Sequence, residues 1–279
     1  MMHPDPDRES PDRPAGTAAF SKFVHLLQLV ADSDHPCSVP ELVRLSGYPR
    51  ATVYRTVAGL LAERFLSLSH EGRAYVLGPR LIELASRSWE RSELRLAASD
   101  ALHALRDATR ETIHLAVPDK LRMVYVDKLE SPRAVRMASH VGSSVSLHSS
   151  AVGKAYLAAL DAPTLARVLR RLKFQSYTPN TVDSVDSLQA QLREVRARGW
   201  SQDDEENEEG IRCYGAAIVD GMGHPVAAVS VSTLRFRQRP DPLHTYVEPL
   251  LEACAAISRR VGAVPGDTYR GAGNPRSEY

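Results

Sequence analysis

The chain reads as an α+β protein, with a winged helix-turn-helix on its N-terminal side, a helical connector, and a C-terminal domain built on an antiparallel sheet. Between Phe20 and Gly78, helix-spaced apolar residues are interrupted by a capping signal, a Gly-containing turn and a first-turn Pro, and they end in a short alternating hairpin. From Thr112 onward, alternating apolar runs interleave with helical ones, the order of a mixed domain. The length of 279 residues fits two domains at about 150 residues each.

The elements follow in order. Phe20, Phe23, Leu27 and Val30 recur at helical spacing and form a first helix. Ser38, three residues before Glu41, is a capping-box pattern that opens a short helix with Leu42, Val43 and Leu45 on its apolar side, closed by Ser46-Gly47. Pro49 restarts the chain, and Val53, Val57, Leu60 and Leu61 make the next apolar stripe. Leu66 and Leu68, the turn His70-Glu71-Gly72, and Tyr75 with Leu77 predict a hairpin. Arg80 to Glu111 predicts one or two helices, with Leu81, Ala85, Trp89 and Ser92 facing one way and Leu102 and Leu105 continuing the stripe beyond a break near Ser99-Asp100.

Strands are then predicted at Thr112 to Val117, Arg122 to Leu129, Val135 to Ala138, Tyr214 to Val219 and Val226 to Thr233. Helices are predicted at Ala151 to Leu160, Thr164 to Leu172, Val185 to Arg198 and about Tyr246 to Val261. The domain boundaries that result are a disordered tail over 1–19, the winged helix-turn-helix over 20–79, a linker and dimerisation helix over 80–97, a C-terminal domain over 98–262 and a flexible tail over 263–279.

Composition narrows the function. Hydrophobic residues make up 43% and charged ones 25%, which excludes wholesale disorder and fibrous folds. With 35 basic and 34 acidic residues the net charge is +1, so any basic surface must be local. No apolar run approaches the roughly 18 residues of a membrane span, and Met1 to Pro14 is rich in Pro, Asp and Arg, so neither a membrane partner nor secretion is expected. Three cysteines, Cys37, Cys213 and Cys254, form no CxxC pair; a disulfide framework and a zinc ribbon are thereby excluded, and a cytoplasmic location fits best. No nucleophile elbow, phosphate-binding Gly-rich loop, HExxH or EF-hand spacing is present, so no enzyme, cofactor or metal is expected.

In a winged helix-turn-helix, the helix after the turn enters the major groove. If Val53, Val57, Leu60 and Leu61 point inward, Arg50, Thr52, Tyr54 and Arg55 face outward near the helix start, where base edges and phosphates lie within reach. Arg73 in the hairpin is the wing residue near backbone or minor groove. Residues 37–80 hold six arginines against three glutamates, which supplies the local basic excess. A second reading keeps the fold but uses the winged helix to dock proteins, and it expects no affinity for DNA.

The residues Glu41 to Leu60, the wing end Tyr75-Val-Leu-Gly-Pro-Arg-Leu81, the segment Leu147-His-Ser-Ser-Ala-Val-Gly-Lys-Ala-Tyr-Leu-Ala158 and the acidic run Asp203-Asp-Glu-Glu-Asn-Glu-Glu-Gly-Ile-Arg-Cys213 together resemble the IclR family of bacterial transcriptional regulators. The likeness runs from about Phe20 to Gly262. It implies a C-terminal α/β domain of GAF-like topology that binds a small effector, a linker helix that dimerises, and homodimers or homotetramers acting on a pseudo-palindromic double-stranded DNA operator. Carried over position by position, the effector contacts are Ser150, Ala151, Val152, Asp203, Cys213, Ser230 and Ser232. Two positions depart from the family pattern: Thr233-Leu234 stands where many members have Gly-Pro, and Lys22 where Arg is usual.

Physical chemistry is compatible with such a site. Ser149 and Ser150 precede a helical run, whose free N–H groups favour an anion such as a small carboxylate from catabolism. Ser230 and Ser232, two apart, share one face of a strand while Val229 and Val231 take the other. On residues alone, Ser150 reads first as a helix cap, Cys213 as a small core residue and Asp203 as part of a solvated loop, and only the resemblance turns them toward a ligand. His148 fits a packing role as well as a ligand contact.

Overall fold

The structure, a computed structural model, describes residues 17–90 and 92–263, and the expected tails lie almost wholly outside them. It divides into two compact units between Ser92 and Glu93.

The first unit runs α1 (Ala18–Ala31), α2 (Val39–Ser46), α3 (Arg50–Ala62), the strands β1 (Leu66–Leu68) and β2 (Tyr75–Leu77), and α4 (Pro79–Glu90). Ser38 Oγ accepts the Glu41 N–H at 3.4 Å to start α2, and Gly47, at φ +69°, ends it in the left-handed conformation that a tight turn demands. Pro49 then opens α3. Leu26, Val30, Leu42, Val53, Val57, Leu60 and Leu66 close over a common core. Cys37 and Tyr75 exchange backbone hydrogen bonds at 2.9 and 2.8 Å, tying the chain before α2 to the wing. Phe20, expected on the inner stripe of α1, is instead exposed, because Leu26 and Val30 take the buried face. On α4, Leu81 is half-buried and Ile82, Leu84 and Ala85 are exposed; the Trp89 side chain lies outside the described residues.

The second unit holds α5 (Glu93–Thr109), β3 (Thr112–Asp119), β4 (Arg122–Leu129), β5 (Ser144–Ser146), α6 (Ala151–Ala159), α7 (Ala162–Leu169), α8 (Val185–Arg198), β6 (Ser201–Asp204), β7 (Ile211–Val219), β8 (Pro225–Leu234) and α9 (Glu248–Ala263). The six strands pair antiparallel in the order β5-β4-β3-β8-β7-β6. Ile113, Leu115, Val229, Val231 and Ile218 face α5 and α9, packing on Leu102, Leu105, Leu250 and Ile257. Ala116, Ala228, Met123 and Tyr125 belong to the other core, with residues of α6, α7 and α8. The strand period of two therefore places His114, Ser230 and Ser232 on the α6 side.

Two expectations are corrected. The helix break near Ser99-Asp100 does not occur: α5 runs through both residues, with Ala98, Leu102 and Leu105 buried on one side of it, so packing overrides the weak helix preference of Ser and Asp. No strand forms at Val135 to Ala138. Lys128 Nζ donates to the carbonyls of Met137, at 2.9 Å, and of Ser139, engaging acceptors that a ladder would have used. The edge strand is β5, further along the chain.

Gly215 on β7 sets how closely α6 can approach the sheet. A Cβ there would stand 2.6 Å from the Ala151 carbonyl oxygen and 2.7 Å from Ser201 Oγ, which itself donates to that carbonyl at 2.6 Å. Gly215→Ala is expected to push the start of α6 outward at a cost of about 1–3 kcal/mol, lowering Tm by roughly 2–12 °C in a thermal melt. An unchanged Tm would show that α6 has slack.

Candidate functional site

Two places carry the residues singled out above. On α3, Arg50, Tyr54 and Arg55 are exposed and Thr52 is half-buried, while Val53, Val57 and Leu60 face the core. The Arg50 guanidinium lies 5.5 Å from the centre of the Tyr54 ring, and its Nη2 donates to Tyr54 OH at 3.4 Å, so the two side chains form one cationic, aromatic tip. Arg73 is exposed in the turn between β1 and β2.

In the second unit a cavity of about 190 Å³ opens between the sheet and the start of α6, and all of Ser150, Ala151, Val152, Asp203, Cys213, Ser230 and Ser232 line it. Strand register explains the convergence. Asp203 on β6 sits opposite Cys213 on β7, which sits opposite Ser232 on β8; one row back, Gly215 faces Ser230, which faces His114 on β3. The bare backbone at Gly215 leaves room for the α6 N-terminus above this row.

Ser150 caps α6, its Oγ accepting the Gly153 N–H at 3.1 Å and donating to the Ser146 carbonyl at 2.6 Å. The cap reading and the lining reading thus hold together. Cys213 Sγ–H donates to Ser232 Oγ at 3.1 Å, and burial holds its thiol well above the ordinary range, so it stays protonated. Asp203 Oδ1 accepts the N–H groups of Glu206 at 2.8 Å and Asn207 at 3.2 Å, making it the staple of the loop after β6. Burial pushes the Asp203 carboxyl up to about 7, opposed by Lys154 and by those two N–H groups.

Several lining residues were not singled out from sequence. His114 stacks on Tyr125 at 4.3 Å between ring centres, lies 2.8 Å from Ser139 Oγ through Nε2 and 3.2 Å from Ser232 Oγ through Nδ1. Burial, with Lys128 nearby, depresses it to about 3, so the imidazole is neutral and must donate at one nitrogen and accept at the other. Its one signal in the sequence is a polar ring inside the apolar run Thr112 to Val117. Met137 and Ser139 come from the segment held by Lys128, Ser143 and Val145 from the turn before β5 and from β5 itself, and Asn207, Glu208 and Ile211 from the acidic run. His148 does not line the cavity: its Nε2 bonds the Gln175 carbonyl at 3.0 Å and its ring packs against Phe174 and Tyr177.

Comparison with known proteins decides the class. Residues 87–259 match the family described as bacterial transcriptional regulator IclR C-terminal, and residues 20–69 match the IclR helix-turn-helix domain. The chain belongs to the IclR family. Members are DNA-binding transcriptional regulators with a C-terminal effector domain; Arg50, Thr52, Tyr54 and Arg55 fall within the first matched stretch and the cavity residues within the second, while Arg73 lies between the two. Among IclR relatives, the transcriptional regulator KdgR of Dickeya chrysanthemi is 31% identical over 90% of this chain and 82% of its own length. The crystal structure of the Thermotoga maritima IclR superposes with a TM-score of 0.73 at 32% identity, covering 87% of this chain and 98% of that one. An IclR homologue of Microbacterium hydrocarbonoxydans, solved in complex with 4-hydroxybenzoate, shares the fold at a TM-score of 0.75 and 23% identity, over 87% and 98% of the two chains. Among the described residues, no helix is long and apolar enough to cross a membrane.

Proposed function

We propose that this IclR-family regulator works in the cytoplasm as a homodimer, or a homotetramer of paired dimers, and reads a pseudo-palindromic DNA operator whose occupancy is modulated by a small organic acid from catabolism. Arg50, Thr52, Tyr54 and Arg55 of α3 contact bases and phosphates, and Arg73 contacts the backbone or minor groove beside them. Ser150, Ala151, Val152, Asp203, Cys213, Ser230 and Ser232 contact the effector. The observation that carries the effector half is the convergence of those seven residues on one cavity.

Size and the start of α6 support a small acid. An apolar cavity of about 150 Å³ holds a benzene ring, so about 190 Å³ suits one ring or a short chain. The N–H groups of Ala151 and Val152, in the first turn of α6, precede the first intrahelical bonds and favour an acceptor oxygen. The Microbacterium homologue carries 4-hydroxybenzoate, an acid of that size. Pairing of two copies through residues 80–97 would cover Ile82 and Leu84, both exposed on α4. Two-fold pairing would place half-sites about one helical turn, or a multiple of about 34 Å, apart. The effector acts only through its preference for one arrangement; a hundredfold preference supplies about 2.7 kcal/mol.

Two single substitutions test the division of labour by fluorescence polarisation on the upstream intergenic DNA and by thermal shift with organic acids. Arg55→Ala is expected to weaken operator binding by about 1–3 kcal/mol, roughly 5- to 150-fold, with effector-induced thermal shifts intact. Ser230→Ala is expected to blunt the effector response and keep operator affinity. Unchanged operator affinity would remove Arg55 from the contact set, and a normal effector response in Ser230→Ala would move the pocket elsewhere.

A further inference from the structure

The charges around the cavity conflict with an anionic ligand. Asp203 and Glu208 both line it, and among the described residues no Lys or Arg does. Two cations stand nearby: Lys128 on β4, which bonds the Met137 and Ser139 carbonyls and lies 2.7 Å from Glu130 Oε1, and Lys154 on α6. Lys154 is fully buried, and its ammonium donates to Glu206 Oε1 at 2.6 Å and to Gln191 Oε1 at 2.8 Å, so its charge is already matched. Glu206, the partner of Lys154, pushes the Asp203 carboxyl further up, and the remaining titratable groups facing Asp203 are neutral: the Cys213 thiol on β7, the Tyr125 phenol on β4, both raised by burial, and the His114 imidazole on β3. Asp204, next along β6, is paired with Arg212 at 2.5 Å. A carboxylate entering beside an ionised Asp203 would meet like charges at short range with little water to screen them.

The geometry of Asp203 offers the remedy. It is almost fully buried, Oδ1 is taken up by the N–H groups of Glu206 and Asn207, and Oδ2 has no hydrogen-bond partner among the described residues. Two carboxyl groups brought together in such a site hold one proton between them. We propose that an acid ligand binds with a single proton shared between its carboxyl group and Asp203 Oδ2, so that effector binding takes up a proton from solvent. The proposal rests on the cavity being the effector site.

The sign follows from linkage. Where free Asp203 is already protonated, binding takes up nothing and affinity is flat; where it is ionised, the complex holds one more proton than its parts, and Kd rises about tenfold per pH unit. With the carboxyl near 7, that rise falls in the alkaline half of the physiological range.

The test is calorimetric titration of the full chain with 4-hydroxybenzoate, 2-oxobutanoate and gluconate, each beside its carboxamide, from about pH 6 to about pH 9 in two buffers of different ionisation enthalpy. Expected are binding of at least one acid, about tenfold weaker per unit above about pH 7, uptake of about one proton there, and no such slope for a carboxamide. Asp203→Asn keeps the shape and an amide oxygen for the two N–H groups, and should bind the same acid with a flat profile. Acid binding with no slope and no proton uptake overturns the proposal, as does binding of none of the three acids or of carboxamides alone. A carboxamide that alters operator binding, and fails to do so in Ser230→Ala, would sink the shared proton while keeping the effector cavity.

Discussion

Operator affinity is expected to fall by about 10³ to 10⁵ as salt rises from about 50 to about 200 mM, on the proposed reading that a dimer of this chain neutralises about 6–10 phosphates and releases their counterions. The whole-chain charge of +1 cannot produce such a slope. Its source has to be the winged helix, where Arg50, Arg55 and Arg73 are exposed and two copies present six such groups. Arg44, Arg64 and Arg80 contribute less, since the first is drawn to Glu41 and the other two to Glu83. Polarisation titrations at several salt concentrations measure the slope directly, and each arginine removed from a phosphate contact should lower it by about one. Binding that ignores salt, or no binding at all, would favour the reading in which the winged helix docks a protein.

How much of this was legible in the sequence depends on how local the deciding interaction is. The bounds of α8 are set by a Ser184 cap and a Gly199 terminator within a few residues of its ends, and the expected range Val185 to Arg198 is the observed one. The pairing of Ser230 with Ser232 on one face needs only the strand period. That His114 faces Ser230 depends on β3 lying beside β8, more than a hundred residues away in the chain, and no spacing reveals it. Val135 to Ala138 failed as a strand for a similar reason: its acceptors belong to Lys128, a partner outside any local window. The seven cavity residues came from resemblance to the family, and physical reading of the residues alone left Ser150, Asp203 and Cys213 with ordinary structural roles.

The same non-local logic makes Lys154 a sensitive position in the C-terminal unit. Its side chain is 1% exposed and that of its partner Glu206 7%. The loop bearing Glu206 is held from several sides: by Asp203 Oδ1, by Thr178 Oγ1 on the Glu205 carbonyl at 2.6 Å, and by Thr181 Oγ1 on the Glu206 carbonyl at 2.6 Å. None of these replaces the ammonium, and Glu206 Oε2 already has no hydrogen-bond partner among the described residues. Lys154→Met would leave a buried carboxylate alone, which costs about 3–5 kcal/mol and should lower Tm by roughly 6–20 °C. Burial raises the Glu206 carboxyl even with Lys154 opposing it, and without Lys154 the rise is larger. A carboxyl raised in the fold is destabilising where the unfolded chain would ionise it, so the deficit should be greatest near about pH 8 and shrink toward about pH 5. Because Asn207 and Glu208 on this loop line the cavity, effector-induced thermal shifts should weaken in step. Replacing both partners, as Lys154→Met with Glu206→Leu, removes the unpaired charge and should recover most of the loss. A single variant that melts like the parent at pH 8, or a double variant worse than the single, would show that the pair is not what holds the loop against α6.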